Sequence, residues 1–119
     1  MGALRRFFAK LSESDEALQS EEVRSWAETI EGSVRMVDAP SRESVKVAGT
    51  VKRLTIFPVQ GEESLEALVS DGTGEIVVVF MGRRGIHGLT LGTRVVVVGV
   101  VGERFGKRRM INPKLELSS

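Results

Sequence analysis

The side chains of this sequence that could do chemistry are mostly cationic. The chain has 17 Lys and Arg residues and 16 Asp and Glu residues, with one histidine and no cysteine. From residue 45 onward many of the cations occur in pairs or short runs, namely Lys52, Arg53, Arg83, Arg84, Arg104, Lys107, Arg108 and Arg109. Cations arranged along a groove neutralise phosphate groups, so this set predicts a surface that binds nucleic acid.

Charge is distributed unevenly along the chain. Residues 1–44 carry six Lys or Arg and nine Asp or Glu, a net charge of −3, whereas residues 45–119 carry eleven and seven, a net charge of +4. The basic segment is therefore also the segment that has the apolar alternation of β-strands.

Aromatic side chains, on which nucleic-acid bases stack, are scarce. There is no tyrosine, and the single tryptophan, Trp26, lies in the N-terminal segment. Alternation along its strand directs Phe80 into the core. This leaves Phe57, in the loop after the first predicted strand, and Phe105, in the last hairpin, as candidate stacking residues. Packing of Phe57 within its own loop is an equally good interpretation.

Residues that usually carry catalysis or bind metal ions are isolated in this sequence. His87 has no triad partner or second candidate ligand nearby, and is interpreted as a surface loop residue. Asp71 opens Asp-Gly-Thr-Gly, where an aspartate typically caps backbone N–H groups. The acids Glu62, Glu63 and Glu66 are not paired with a base, and no phosphate-binding Gly-Lys-Ser/Thr loop occurs. We therefore expect no enzyme, no metal and no cofactor.

The sequence favours a cytoplasmic protein. The absence of cysteine excludes disulfides and suits a reducing compartment. No apolar stretch is long enough to cross a membrane, since Gly99 interrupts the valine run 95–101. Arg5 and Arg6 are not followed by the apolar run of a secretory signal. A membrane-surface helix near these arginines is the remaining alternative, which the acids at Glu13 and Asp15 disfavour.

Residues 1–34 predict a helical arm. Two sets of apolar residues each follow the i, i+3, i+4, i+7 spacing of a helix, and an acidic segment separates them. The first set is Leu4, Phe7, Phe8 and Leu11, and the second is Val23, Trp26, Ala27 and Ile30. Two short helices, or one interrupted helix, are expected, with Ser20 as an N-cap and Gly32 at the end of the second. Residues 35–44, which include Pro40, are predicted to be a linker to a domain at 45–119.

From Val45 onward the apolar period changes to two, which is typical of β-strands. Five strands are predicted, the first beginning at Val45 and the others spanning Leu65–Ser70, Glu75–Met81, Arg94–Val101 and Arg108–Leu117. Glycine-containing turns at 71–74 and 102–106 join two of the pairs. Residues 82–93 are too rich in glycine for a long helix. This order predicts a small all-β barrel, with an SH3-like barrel as the alternative.

Five segments of the sequence resemble the OB-fold nucleic-acid-binding domains, especially the single-domain bacterial proteins and the wedge domain of the branch-migration helicase. They are Val-x-Val-x-Gly-x-Val at 45–51 and the segments 69–76, 79–84, 86–92 and 111–117. The resemblance implies an all-β core, a five-stranded OB-fold Greek-key barrel with a short N-terminal α-helical arm. It also implies binding of single-stranded or branched DNA or RNA through basic residues.

Both faces of the predicted strands carry apolar residues. Leu68, Val77 and Val79 lie opposite the core side of their strands, and Val96, Val98 and Val100 do the same farther along the chain. We expect the arm or a second subunit to cover this face, unless a strongly coiled barrel buries it unaided. A protein-protein interaction or homo-oligomerisation module is therefore the rival of nucleic-acid binding.

Overall fold

The computed structural model of the protein describes the backbone of residues 2–118 and the side chains of residues 15–58 and 60–118. It contains one α-helix, α1 (Gly2–Glu28), and one short 3-10 helix (Met36–Asp38). The strands are β1 (Ser44–Val59), β2 (Glu62–Ser70), β3 (Glu75–Met81), β4 (Arg94–Val100), β5 (Gly102–Arg104), β6 (Lys107–Ile111) and β7 (Lys114–Ser118). The protein is therefore mostly β-structure with one N-terminal helix.

The strands form one sheet in the order β5-β6-β3-β2-β1-β4-β7. Only the β3–β6 pair is parallel among these pairings. The long strand β1 pairs with β4 through Ser44–Thr50 and with β2 from Thr50 onward. At this changeover the register shifts between Val51 and Arg53, which leaves Lys52 as the extra residue of a bulge. Because a bulge bends its strand and increases its twist, the sheet curls here.

The number of strands differs from the five predicted because the last predicted strand is interrupted and the turn before it contains an additional short strand. Asn112, at a φ of 48°, and Pro113, which has no N–H to donate, break the predicted strand 108–117 into β6 and β7. The predicted turn at 102–106 contains the short strand β5, so the turn itself is only Phe105 and Gly106. Residues 82–93 form turns, which confirms that they do not make a long helix.

One side of the sheet holds the main hydrophobic core. Strands β1 to β4 contribute alternate residues to it, among them Val51, Val69, Val78 and Val97. Phe80 is buried in this core, which confirms the direction predicted from alternation. A Cβ atom added at Gly49 would lie 2.6 Å from the carbonyl oxygen of Ser70, so β1 and β2 could not approach this closely with a larger residue.

The helix α1 is continuous, so the predicted division into two helices is wrong, and Ser20 lies within the helix rather than capping it. Near its C-terminal end, Ala27 packs against Ala48 and Val96, and Trp26 and Ile30 pack beside them. The helix therefore covers the outward face around Val96, as expected, but not the rest of that face, where Val100 is exposed and Leu68 and Val77 line a cavity. The side chains of Leu4, Phe7, Phe8 and Leu11 lie outside the described part of the chain.

The segment 35–44, predicted as a linker, is packed against the sheet. Met36 is fully buried, and its N–H donates a 2.9 Å hydrogen bond to the carboxylate of Asp71. The same carboxylate accepts hydrogen bonds from the N–H groups of Thr73 and Gly74, which confirms the predicted capping role. Within residues 2–118, no helix is both long and apolar enough to cross a membrane.

Candidate nucleic-acid interface

Strand pairing places two arginines in one row across the sheet. Arg53 pairs with Leu68, Leu68 with Val77, and Val77 with Arg109, so the row crosses β1, β2, β3 and β6. Directly paired residues point to the same side of a sheet, and the neighbouring residues Val69, Val78 and Met110 point into the core. The row therefore lies on the outward face, with two apolar side chains between two cations.

One end of this row opens into a cavity of about 460 Å³. Its lining includes Arg53, Leu68 and Val77 from the row, and the other lining residues are Val37, Gly74, Glu75, Gly106, Lys107 and Arg108. The cavity thus has an apolar floor with three cations and one acid around it. We call it the first cavity.

A second cavity of about 380 Å³ adjoins the first, since Val77 and Lys107 line both. The remaining residues around the second cavity are Phe57, Glu66, Arg104, Phe105 and Arg109. We call the two cavities together the outer groove. It gathers five cations and two aromatic rings, against two acids, on one face of the sheet.

Phe105 forms the tip of the β5–β6 hairpin at the rim of the groove. Its side chain is 91 % exposed, and the guanidinium of Arg104 lies 5.3 Å from the centre of its ring. Phe105 and Gly106 have φ angles of 53° and 74°, as in the tight turns that match the twist of a hairpin. A ring held free in solvent beside a cation has the properties of a platform for a base.

Phe57 does not lie in a loop, and that part of the prediction is wrong. It is part of β1, where it pairs with Ser64, because β1 continues to the turn at Gln60 and Gly61. These two turn residues have positive φ angles, which allow a tight β1–β2 connection. Half-buried on its strand, Phe57 lines the second cavity from the side opposite the hairpin strands.

Arg108 is held by the protein itself. Its guanidinium donates hydrogen bonds to the main-chain carbonyl oxygens of Met36 and Val37. These contacts attach β6 to the 3-10 helix and place Val37 in the wall of the first cavity. Arg108 thus acts as a structural tether, with part of its hydrogen-bonding capacity already used.

Arg109 differs from its neighbour in its hydrogen bonding. Its Nε atom is buried, and no acceptor for it exists among the side chains and backbone that the structure describes. A buried donor without an acceptor is unfavourable by about 1–3 kcal/mol. Because this atom is closed to solvent, a ligand in the cavity would contact the terminal nitrogens of the guanidinium instead.

Three of the ten predicted site residues lie outside the groove. Lys52 lies on the bulge of β1, and Arg83 and Arg84 follow the end of β3. Arg84 is paired with Glu63, so its charge is partly neutralised. The structure brings together the other seven, which are Arg53, Phe57, Arg104, Phe105, Lys107, Arg108 and Arg109. Their contact with nucleic acid stays a prediction.

Sequence reasoning missed seven of the fourteen residues that line the groove, namely Val37, Glu66, Leu68, Gly74, Glu75, Val77 and Gly106. Alternation had marked Leu68 and Val77 as outward apolar residues, but only the pairing of β1 and β6 on either side shows that they form a groove floor. Glu66 and Glu75 had no distinguishing pattern. Among the described residues, no group of three or more His, Asp or Glu side chains could hold a metal ion.

No protein-family model and no curated protein matches the sequence. Among solved structures, the fold is similar to part of RecG bound to a three-way DNA junction, with a TM-score of 0.62 and 19 % sequence identity. The similarity covers 72 % of this chain and 12 % of that one. The chain therefore shares its fold with a small part of a much longer protein.

Proposed function

We propose that this protein is a non-enzymatic module of the cytoplasm that binds single-stranded or branched nucleic acid in the outer groove. The observation that carries the proposal is the gathering of Arg53, Arg104, Lys107 and Arg109 with two aromatic rings on one face of the sheet. Cations along a groove contact successive phosphates, and exposed rings accept stacked bases.

The proposed architecture is a five-stranded OB-fold barrel. Only Val101 separates β4 from β5, and only Asn112 and Pro113 separate β6 from β7. If β4 and β5 are counted as one interrupted strand, and β6 and β7 as another, the seven strands become five. The last of these then spans both ends of the sheet, because β6 pairs with β3 while β7 pairs with β4. Such a strand supports closure of the sheet into a barrel.

The composition of the groove favours a strand with unstacked bases over a regular duplex. Its apolar floor, Leu68 and Val77, and the flanking rings Phe57 and Phe105 offer contacts to base faces, which a duplex keeps stacked inside. Five cations against two acids attract a polyanion, so the affinity should fall steeply as salt is added.

The similarity to RecG supports a branched partner. That protein was solved bound to a three-way DNA junction, and its similar part covers most of this chain. If the present chain binds a junction, the exposed ring of Phe105 would stack on a base at the point where the nucleic-acid strands separate. The cations of the groove would contact the phosphates of one of those strands.

The rival proposal, a protein-interaction or oligomerisation module, has weaker support. It relies on Trp26 and the apolar residues of the arm as a docking surface. Trp26 instead packs with Ala27 against the sheet, and the guanidinium of Arg94 lies 5.2 Å from its ring centre. The described end of the arm is thus engaged within its own chain.

The test is fluorescence anisotropy of labelled single strands, duplexes and three-way junctions of DNA and RNA at several salt concentrations. We expect binding that weakens linearly on a log-log salt plot, tighter for single strands and junctions than for duplexes. The double variant Arg104→Glu/Lys107→Glu should abolish it. The double reversal Arg83→Glu/Lys114→Glu, at two exposed cations outside the groove, is the matched control and should retain most of the affinity. Equal effects of the two reversals, or no binding at low salt, would contradict the proposal.

A further inference from the structure

Glu66 is an unexpected residue for a groove that binds phosphates. It lies in the middle of β2, half-buried, and lines the second cavity with Arg104, Lys107 and Arg109. A carboxylate near the path of a phosphate backbone weakens binding by repulsion. Its position among cations and aromatic rings is suited instead to an uncharged part of the ligand that carries hydrogen-bond donors.

The carboxylate is not neutralised by the arginine across the cavity. The three ion pairs found among the described side chains are Arg24–Glu21, Arg35–Asp38 and Arg84–Glu63. Glu66 and Arg109 therefore line one cavity without being joined in an ion pair, so the carboxylate of one and the guanidinium of the other are both left for a ligand. The cavity offers an acceptor and a donor group together.

We propose that the second cavity binds one unpaired guanine base of the bound strand. This inference rests on the proposed function and adds a base preference to it. Guanine presents the acceptors O6 and N7, which arginine contacts in a bidentate manner, and the donors N1–H and N2–H₂, which a carboxylate can accept. Arg109 would contact the first pair of atoms and Glu66 the second, while Phe57 and Phe105 provide stacking surfaces.

The other bases match this set of groups less well. Thymine has no exocyclic amine for Glu66, and adenine has no carbonyl oxygen for Arg109. Cytosine has both an amine and a carbonyl, but its single ring offers a smaller stacking face to Phe57 and Phe105. The cavity volume of about 380 Å³ is at the lower end of the range for small-molecule sites, as suits one base.

The first measurement uses oligothymidine strands of about twelve nucleotides, a length within the range that one OB domain covers. The central base is thymine, guanine, adenine or cytosine, and a single guanine avoids strand self-association. At one salt concentration we expect the guanine strand to bind roughly fivefold or more tightly than the thymine strand, with adenine and cytosine between them. Equal affinities, or tighter binding of cytosine or adenine than of guanine, would overturn the inference.

The variant Glu66→Gln separates base recognition from simple charge. If Glu66 accepts hydrogen bonds from guanine, the ratio of guanine to thymine affinity falls towards one, while the thymine strand binds more tightly because a negative charge is lost. If Glu66 is only a surface acid, both affinities rise together and the ratio is unchanged, which would refute the inference. Glu75→Gln, in the first cavity, is the matched control and should raise both affinities equally. Inosine, which lacks the N2 amine, should bind between guanine and thymine.

Competition with guanosine monophosphate distinguishes a base in a strand from a free nucleotide. The nucleotide lacks neighbouring phosphates for Arg53 and Lys107, so it should displace the guanine strand only at concentrations far above the strand's Kd. Displacement at concentrations near that Kd would overturn the assignment to a strand. Absence of binding to every oligonucleotide would remove both proposals, whereas tight binding without base preference would remove only this one.

Discussion

The carboxylate of Asp71 accepts a hydrogen bond from the backbone N–H of Met36, 2.9 Å away, and so joins the β2–β3 turn to the 3-10 helix before β1. On the other side of the same helix, the guanidinium of Arg108 donates to the carbonyl oxygen of Met36. The segment that carries Val37 into the wall of the first cavity is thus fixed from two directions. The geometry of the groove depends on these two side chains although neither is needed to contact a ligand.

Replacement of Asp71 by alanine should destabilise the fold by about 3 kcal/mol, because it removes the acceptor of three backbone N–H groups from a buried site. Urea unfolding followed by far-ultraviolet circular dichroism measures the change. Asp38→Ala removes an exposed ion pair with Arg35 and should change stability by less than about 1 kcal/mol. Similar losses in the two variants would contradict the role given to Asp71.

Adjacent cations on β6 should have different roles. Lys107→Gln removes an exposed charge that lines both cavities, so it should weaken binding and make the log-log salt slope shallower by about 0.7–0.9, with stability unchanged. Arg108→Gln should lower the unfolding free energy by about 1–3 kcal/mol, since the carbonyl groups of Met36 and Val37 lose their donor. A salt slope altered equally by both variants, with no loss of stability in either, would show that Arg108 is not a tether.

The sequence predicted well those features that follow from local pattern. The positions of β2, β3 and β4, the burial of Phe80 and the capping by Asp71 each depend on alternation or on a short turn motif. The covering of Val96 by the arm followed from the apolar character of both strand faces. None of these required knowledge of which strands pair.

Features that depend on distant pairing could not be predicted. At the bulge on Lys52, β1 stops pairing with β4 and continues its pairing with β2. Because this second pairing extends beyond Phe57, that ring lies on a strand and lines the groove. The basic run 107–109 reads as three equivalent cations in the sequence. Only tertiary structure distinguishes the exposed Lys107, the tether Arg108 and the groove residue Arg109.

Phe105 should contribute to binding at the expense of stability. A bulky side chain in the left-handed region is strained, and asparagine is preferred before glycine in such hairpins. Phe105→Asn should therefore raise the unfolding free energy by about 1 kcal/mol and weaken single-strand binding by about 1–3 kcal/mol. Gln60→Asn also places asparagine before a glycine at a positive φ, here 50° in the β1–β2 turn. It should stabilise the fold without affecting binding. A binding loss in both variants would attribute the effect to backbone rather than to the ring.

The contact between the arm and the sheet can be followed through Trp26, the single tryptophan of the chain. Ala27→Asp places a carboxylate against Ala48 and Val96, where burial of an unpaired charge is strongly unfavourable, so α1 should detach from the sheet. Tryptophan emission should then shift to the red and proteolysis within α1 should accelerate, whereas nucleic-acid affinity should change by less than about twofold because Ala48 and Val96 line neither cavity of the groove. Ser25→Asp, on the exposed side of the helix, is the control and should leave emission unchanged. Loss of nucleic-acid binding in step with release of the arm would instead place α1 in the binding site and favour the rival function.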